Sequence, residues 1–175
     1  MILPPATLGV LGGGQLGSYF VYAAHEMGYR VVVLDPDVNS SAGRVADEHI
    51  VARFDEGDAL NSMTHKCAAI TTEFENVPAE TLSYLAKFVP VRPGAESVAT
   101  CQNRRTEKEF LGRNGIPCVA YFNIDNANDI DAIPAEHFPG ILKVARLGYD
   151  GKGQQRVTSQ GDTRDAFKRF NSEPC

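Results

Sequence analysis

Long apolar runs and clusters of basic residues are both missing from this sequence. The longest apolar runs, such as residues 31–34, are far too short to span a bilayer, and residues 1–6 lack the charged start and apolar core of a signal peptide. The formal net charge is −5 and no basic run occurs, which argues against a nucleic-acid-binding surface. We therefore predict a cytoplasmic protein that binds neither membranes nor nucleic acids.

Paired cysteines and grouped histidines are missing as well. The four cysteines show no paired spacing, which favours reduced thiols over a disulfide framework or a zinc site. The four histidines are scattered, and this argues against a histidine metal centre. The hydrophobic fraction of 43% and charged fraction of 22% are those of an ordinary globular protein. A length of 175 residues suggests one domain, or one domain and part of another.

The sequence does contain a short apolar strand that runs into a glycine-rich turn. Residues 7–11 are apolar, and Gly12, Gly14 and Gly17 follow with the spacing G-x-G-x-x-G. The next stretch is helical in pattern, with a predicted apolar face formed by Leu16, Phe20, Ala23, Ala24 and Met27. A strand that turns through glycines into a helix leaves backbone N–H groups free at the positive helix end. We therefore predict that this turn binds a phosphate or a carboxylate.

Strands and helices alternate along the first hundred residues. Apolar segments predict strands at 30–34, 49–52 and 68–72, with a helix after Asp58 and another over 78–88. Such alternation predicts an α/β fold with a Rossmann-like, doubly wound parallel sheet. We place the end of this first domain at residue 102.

The pattern changes over residues 103–175. Asn103 precedes a polar helix, and a glycine-rich loop at 148–154 lies between predicted strands at 140–144 and 155–157. A further strand is predicted at 121–122. The last helix, at 162–170, carries an apolar face for which we expect no partner sheet within the chain.

Two acids follow predicted strands of the first domain. Ligands of doubly wound sheets lie beyond the carboxyl ends of the strands, where Asp35 and Glu73 are both found. A carboxylate at Glu73 could accept hydrogen bonds from a ribose or an amine, or could serve only as a charge ahead of the next helix. Asp35 could bind a ribose, as in a dinucleotide site, or only start the Asp-Pro turn.

A second group of residues suggests a phosphate site. Backbone N–H groups of the loop glycines Gly148, Gly151 and Gly153 can approach phosphate oxygens closely. Lys143 precedes this loop on a strand, as a buried-looking lysine, and Arg104 begins a polar helix. Each cation taken alone could be a surface residue, but together with the loop they favour a nucleotide.

Five blocks of this sequence resemble, in the same order, those of N5-carboxyaminoimidazole ribonucleotide synthetases. These enzymes belong to the ATP-grasp superfamily and form the ATPase subunit of phosphoribosylaminoimidazole carboxylase. The resemblance runs from about residue 7 to residue 157. The blocks are GGGQLG at 12–17, VLDPD at 33–37, EFENVP at 73–78, VRPG at 91–94 and GYDGKGQ at 148–154.

The resemblance implies a fold and a set of binding residues. Residues 1–102 would form the pre-ATP-grasp domain, which does not bind NAD, and residues 103–175 the first part of an α+β ATP-grasp domain. The residues that would contact aminoimidazole ribonucleotide are Gly14, Gln15, Leu16 and Glu73. Those that would bind ATP are Arg104, Lys143, Gly148, Tyr149, Asp150, Gly151, Lys152, Gly153 and Gln154.

The resemblance also implies a reaction. ATP and bicarbonate would give carboxyphosphate, and the amine of the ribonucleotide would take up its carboxyl group. The implied requirements are ATP and Mg²⁺, with the metal ligands beyond Cys175, and the implied assembly is a homodimer. No catalytic residue is expected within this chain. The ATP-grasp domain of the family continues past Cys175, so we expect a fragment or a short gene product that is inactive alone.

One departure and two alternatives accompany this prediction. The family usually has an arginine after Gln-Leu-Gly, where this sequence has Ser18. An NAD-dependent oxidoreductase domain would explain G-x-G-x-x-G and Asp35, but it would leave Lys143 and the 148–154 loop unexplained. A binding module that keeps the ribonucleotide site without catalysis is the second alternative.

Overall fold

A four-stranded parallel sheet lies at the centre of residues 1–99, one of the two units of the chain. The computed structural model describes residues 1–148 and 151–175. The strands are β1 (Thr7–Leu11), β2 (Arg30–Leu34), β3 (Glu48–Ile50) and β4 (Ala69–Thr72), in the order β3-β2-β1-β4. Val91 adds a parallel bridge to Ile70 at the β4 edge. The predicted parallel α/β sheet is confirmed.

Four helices accompany this sheet along the chain. They are α1 (Gln15–Glu26), α2 (Gly57–Lys66), α3 (Ala79–Leu85) and α4 (Ala95–Cys101). The short α4 helix is not predicted from the sequence. Asp58 was expected to precede α2, but it lies in its first turn, and Glu56 is the N-cap residue.

The two faces of the sheet carry separate cores. Val31 and Val33 of β2 are fully buried and pack in a cluster with Val21 of α1. Val32 and Leu34 point to the other face and join a larger cluster that includes residues of α2 and α3. Because successive side chains of a strand point to opposite faces, the apolar run of β2 serves both cores.

The predicted apolar face of α1 is confirmed only in part, since Ala24 is buried and Phe20 packs against the same cluster. Leu16 and Met27 are 65% and 60% exposed, whereas the residues that α1 buries are Gly17, Ser18, Val21 and Ala24. A Cβ atom at Gly17 would lie 2.9 Å from the carbonyl oxygen of Gly12. The helix start therefore lies so close to the turn that small residues, rather than the larger apolar ones, face inwards.

An antiparallel hairpin is the only sheet in the described part of residues 100–175. It joins β5 (Gly140–Lys143) to β6 (Gln154–Val157). Before it come the α5 helix (Arg104–Arg113) and two short 3₁₀ helices (Asp129–Ala132 and Ala135–His137), and after it comes α6 (Gln160–Arg169). The side chain of Asn103 accepts a hydrogen bond from the N–H of Arg105 and caps α5 as expected.

One face of the hairpin packs against α6. Leu142 and Val157 share a buried cluster with Ala166 and Phe167 of that helix. The apolar face of α6 is therefore covered within the chain, contrary to expectation. The predicted strand at 121–122 does not form, although Ile124 exchanges two backbone hydrogen bonds of 2.9 Å with Cys175.

Candidate functional site

The glycine-rich turn between β1 and α1 already contacts two carboxylates of the chain. Asp35 Oδ2 accepts a hydrogen bond of 2.7 Å from the N–H of Gly13. Glu73 Oε1 accepts one of 2.7 Å from the N–H of Gly14, and Glu73 Oε2 accepts one from the N–H of Gly17. The carboxylate at the helix start thus comes from Glu73, the residue directly after β4. It reaches the turn after β1 because the parallel strands β1 and β4 end at the same edge of the sheet.

The glycine spacing fits this carboxylate closely. A Cβ atom would lie 2.5 Å from Glu73 Cγ at Gly12, and 2.5 Å from Glu73 Oε1 at Gly14. At Gly17 it would lie 2.7 Å from Glu73 Oε2. Real Cβ atoms essentially never approach other atoms this closely. All three positions of the G-x-G-x-x-G motif therefore leave room for Glu73, and the motif needs no bound dinucleotide to explain it.

A cavity of about 300 Å³ opens beside this turn. Its charged side chains are the carboxylates of Asp35, Asp37 and Glu73, and no lysine or arginine lies among the described residues that line it. Ser40, which is buried, adds a hydroxyl group to the lining. The cavity is suited to ligand groups that donate hydrogen bonds, such as hydroxyls and amines.

The predicted ribonucleotide residues are placed unequally. Gly14 and Glu73 line the cavity, whereas Gln15 and Leu16 are exposed on α1 and are not among the residues that line it. Gln15 Nε2 instead donates a hydrogen bond to the hydroxyl of Tyr19. Ser18 is 8% exposed, and its hydroxyl donates to the carbonyl of Gly14, so this side chain supports the first turn of α1.

The second unit presents a cationic face on its hairpin. Lys143 lies opposite Gln154, and Ile141 lies opposite Arg156, in the β5–β6 register. All four are exposed, and the alternation of each strand puts them on the face turned away from α6. Lys143 was expected to be buried, and this is wrong: the buried positions of the strand end are its neighbours Leu142 and Val144.

The glycine-rich loop is tied to this face at both ends. Arg104 donates a hydrogen bond of 3.1 Å from Nη2 to the carbonyl of Gly148, and the N–H of Val144 donates one of 2.8 Å to the carbonyl of Gly153. Gly153 has φ +66°, and a Cβ atom there would overlap Val144 Cγ2, so this position requires glycine. The predicted ATP contacts Tyr149 and Asp150 lie outside the described residues.

Five cationic side chains line a larger cavity, of about 760 Å³, in this unit. Two acids, Glu107 and Asp125, also line it, and Asp125 pairs with Arg105 at 2.6 Å. Apolar side chains such as Ile141 and Phe122 contribute as well. An anionic ligand with a flat apolar group matches this lining. The five cations are Arg104, Arg105, Lys108, Lys143 and Arg156.

Comparison with known families gives these two sites a context. Residues 5–102 match the ribonucleotide synthetase preATP-grasp domain, and residues 109–175 match the ATP-grasp domain. The chain belongs to the ribonucleotide synthetase preATP-grasp family. The resemblance predicted from the five sequence blocks is confirmed.

Similar proteins of this preATP-grasp family are N5-carboxyaminoimidazole ribonucleotide synthases. That of Staphylococcus aureus strain COL is 40% identical over 97% of this chain and 46% of its own length, and that of Brucella melitensis is 40% identical over 98% and 48%. The chain therefore spans about half the length of the curated relatives it matches.

Solved structures of the same family agree in fold. A synthetase in complex with ADP superposes with a TM-score of 0.92 and 39% identity, over 100% of this chain and 47% of that one. The synthase of Aspergillus clavatus, in complex with ADP and 5-aminoimidazole ribonucleotide, gives a TM-score of 0.83 and 30% identity, over 97% and 45%.

Two kinds of lining residue are not predicted from the sequence. Ile141 and Arg156 join the face of Lys143, and the alternation of residues 140–143 and 154–157 could have indicated them. Asp37 and Ser40 line the acidic cavity because the turn-rich loop after β2 folds over Gly13, where Ala42 donates its N–H to the Gly13 carbonyl. No periodicity in the loop indicates that contact.

Proposed function

We propose that this chain provides the ribonucleotide site and part of the ATP site of an ATP-dependent N5-carboxyaminoimidazole ribonucleotide synthetase. In this proposal residues 1–102 form the preATP-grasp domain and residues 103–175 the first part of the ATP-grasp domain. The observation that carries the proposal is the cationic hairpin face next to a glycine-rich loop. The ADP complexes of the similar structures support it.

The hairpin face suits the phosphates of ATP. Lys143, Arg156 and the amide of Gln154 lie together on it, and Arg104 lies beside the loop at Gly148. Phosphoryl transfer depends mainly on positioning and on neutralising charge, which cations and backbone N–H groups provide. The loop residues Gly151, Lys152 and Gly153 would lie over the phosphates, and Ile141 offers an apolar surface for the base.

The acidic cavity suits the other substrate. In the proposed reaction the γ-phosphoryl group of ATP moves to an oxygen of bicarbonate, which gives ADP and carboxyphosphate. The amine of aminoimidazole ribonucleotide then forms a C–N bond with the carboxyl carbon, and phosphate leaves. Glu73 accepts two backbone N–H groups and keeps lone pairs that can accept a hydroxyl or amine of the ribonucleotide.

Mg²⁺ belongs to the proposed reaction as a requirement that accompanies ATP, and we assign it no ligand among the described residues. Among residues 1–148 and 151–175, no group of three or more histidine, cysteine, aspartate or glutamate side chains could hold a metal ion. Within residues 1–148 and 151–175, no helix has the length and hydropathy needed to cross a membrane.

The test is ADP formation by the complete gene product with bicarbonate, measured with and without aminoimidazole ribonucleotide. We expect the ribonucleotide to stimulate ADP release, and a product assay to show one carboxylated ribonucleotide per ADP. Equal ADP release with and without the ribonucleotide would contradict the proposed substrate. Analytical ultracentrifugation of the same sample tests the proposed homodimer.

A further inference from the structure

The glycine-rich turn has the spacing of a phosphate site but lies against a carboxylate. In this unit, the N–H groups of Gly14 and Gly17 both donate to the carboxylate of Glu73, and the N–H of Gly13 donates to Asp35. The N–H of Gly12 donates to the carbonyl of Leu34 at 2.9 Å. These four N–H groups are therefore already paired within the chain.

We propose that Glu73 is a specificity-determining residue that closes this turn to phosphate groups by taking the position of the anion itself. The carboxylate is covalently tethered, so it competes with free anions at a high local concentration. A phosphate approaching the turn would also meet the charges of Asp35 and Asp37, which repel it. The glycine turn thus binds a carboxylate of its own chain instead of the phosphate of a nucleotide.

Closure of the turn by Glu73 constrains the orientation of the substrate, and this part rests on the proposed function. Because the turn is closed to anions and the cavity beside it is lined by acids, the ribonucleotide would enter with its hydroxyl or amine groups towards Glu73. Its phosphate would lie away from Gly13 and Gly14. This orientation differs from that of a dinucleotide, whose pyrophosphate contacts the helix start.

The experiment uses inorganic pyrophosphate as the probe and follows the amide resonances of Gly14 and Gly17 by NMR. Pyrophosphate bound in the cationic cavity is followed separately, through the amide resonances of Lys143 and Arg156. We expect no saturable shift of either amide in the wild-type chain at millimolar pyrophosphate. In Glu73→Ala, saturable shifts of both amides should appear, with at least about tenfold tighter binding, since two charge-assisted hydrogen bonds become available.

Asp37→Ala is the matched control. Asp37 lines the same cavity and carries the same charge, but its side chain accepts the N–H of Asn39 and does not contact the glycines. If Asp37→Ala binds pyrophosphate at the turn as well as Glu73→Ala does, removal of charge explains the effect and the proposal is wrong. Saturable shifts of Gly14 and Gly17 in the wild-type chain would overturn it directly.

A second variant covers the case in which Glu73→Ala does not fold. Glu73→Gln keeps the size of the side chain and one acceptor oxygen but removes the charge. Binding at Gly14 and Gly17 at least about tenfold tighter than in the wild type supports the proposal, since one N–H group loses its acceptor, and unchanged shifts contradict it. No nucleotide or turnover enters this experiment, so its failure is distinguishable from failure of the proposed function.

Discussion

The acidic cavity of the first unit and the cationic cavity of the second differ in charge in a way that opposes their sequence motifs. The cavity beside G-x-G-x-x-G, the motif associated with phosphate binding, is lined by three carboxylates. The glycine-rich loop of the second unit joins two strands and does not lead into a helix, yet the cavity of this unit is lined by five cations and two acids. The groups around a glycine turn, rather than the turn itself, therefore decide which ligand it accepts.

The largest expected effect concerns the cationic cavity. Lys143→Ala in the complete gene product should abolish ATP-dependent turnover and weaken ATP binding by about 10- to 100-fold, because it removes a charge that would contact the phosphates. Calorimetric titration with ATP and an ADP-release assay measure the two effects. Lys168→Ala is the control, since this lysine is exposed on α6 and does not line the cavity. Wild-type values for Lys143→Ala would remove the lysine from the ATP site.

The reactivity of the cysteine thiols should also differ between the two units. Burial raises the pKa of the Cys67 thiol to about 12, whereas Cys101 and Cys118 are exposed. The thiolate fraction of Cys67 at pH 8 is then on the order of a thousandth of that of an ordinary exposed thiol. We expect mass spectrometry to find Cys101 and Cys118 labelled by a maleimide while Cys67 remains unmodified. Equal labelling of all three in the native protein would show that the buried cluster around Cys67 opens readily.

The acidic cavity should respond to ribonucleotide rather than to ATP. Glu73→Ala in the complete gene product should raise the KM for aminoimidazole ribonucleotide by about tenfold and leave ATP affinity nearly unchanged. Steady-state assays with each substrate varied in turn measure this difference. Glu80→Ala removes an exposed acid of α3 and should change neither constant. An effect on ATP alone would move Glu73 out of the ribonucleotide site.

A smaller effect is expected from the glycine turn. Gly14→Ala should lower the free energy of unfolding by about 1–3 kcal/mol, because the new Cβ displaces Glu73 Oε1 and leaves its N–H partner poorly satisfied. Gly57→Ala meets no atom within 4 Å and should be neutral or slightly stabilising. Urea unfolding of both variants checks the difference. Equal stability of the two would show that Glu73 is not held tightly at the turn.

The smallest expected effect is a pH dependence. The backbone N–H of Val31, with a smaller contribution from His25, lowers the pKa of Asp47 below its ordinary value of 3.8. A carboxylate with a lowered pKa stabilises the fold at neutral pH, and this stabilisation is lost as pH falls below that value. Asp47→Asn should therefore lose less stability than the wild type between pH 5 and pH 3. Parallel acid-unfolding curves for the two proteins would contradict this assignment.

Part of the molecule follows from local sequence. The parallel strands, the helix capped by Asn103 and the hairpin around the glycine-rich loop are all predicted, because each depends on neighbouring residues. The face of α1 is predicted only in part: Ala24 is buried, but the close approach of Gly17 to the Gly12 carbonyl turns Leu16 outwards at the helix start. Nor is the exposure of Lys143 predicted, because only the packing of α6 decides which face of the hairpin is covered.

The α/β class, the glycine turn and the family can be read from the sequence, since these depend on short-range patterns and on ordered blocks of residues. The group that the turn binds is visible only in the folded protein. Glu73 lies 59 residues after Gly14 in the sequence, and the parallel pairing of β1 with β4 brings its carboxylate to the helix start. A hydrogen bond between residues so far apart produces no pattern in the sequence. The fold is therefore needed to show that the carboxylate of Glu73 is the anion at this turn.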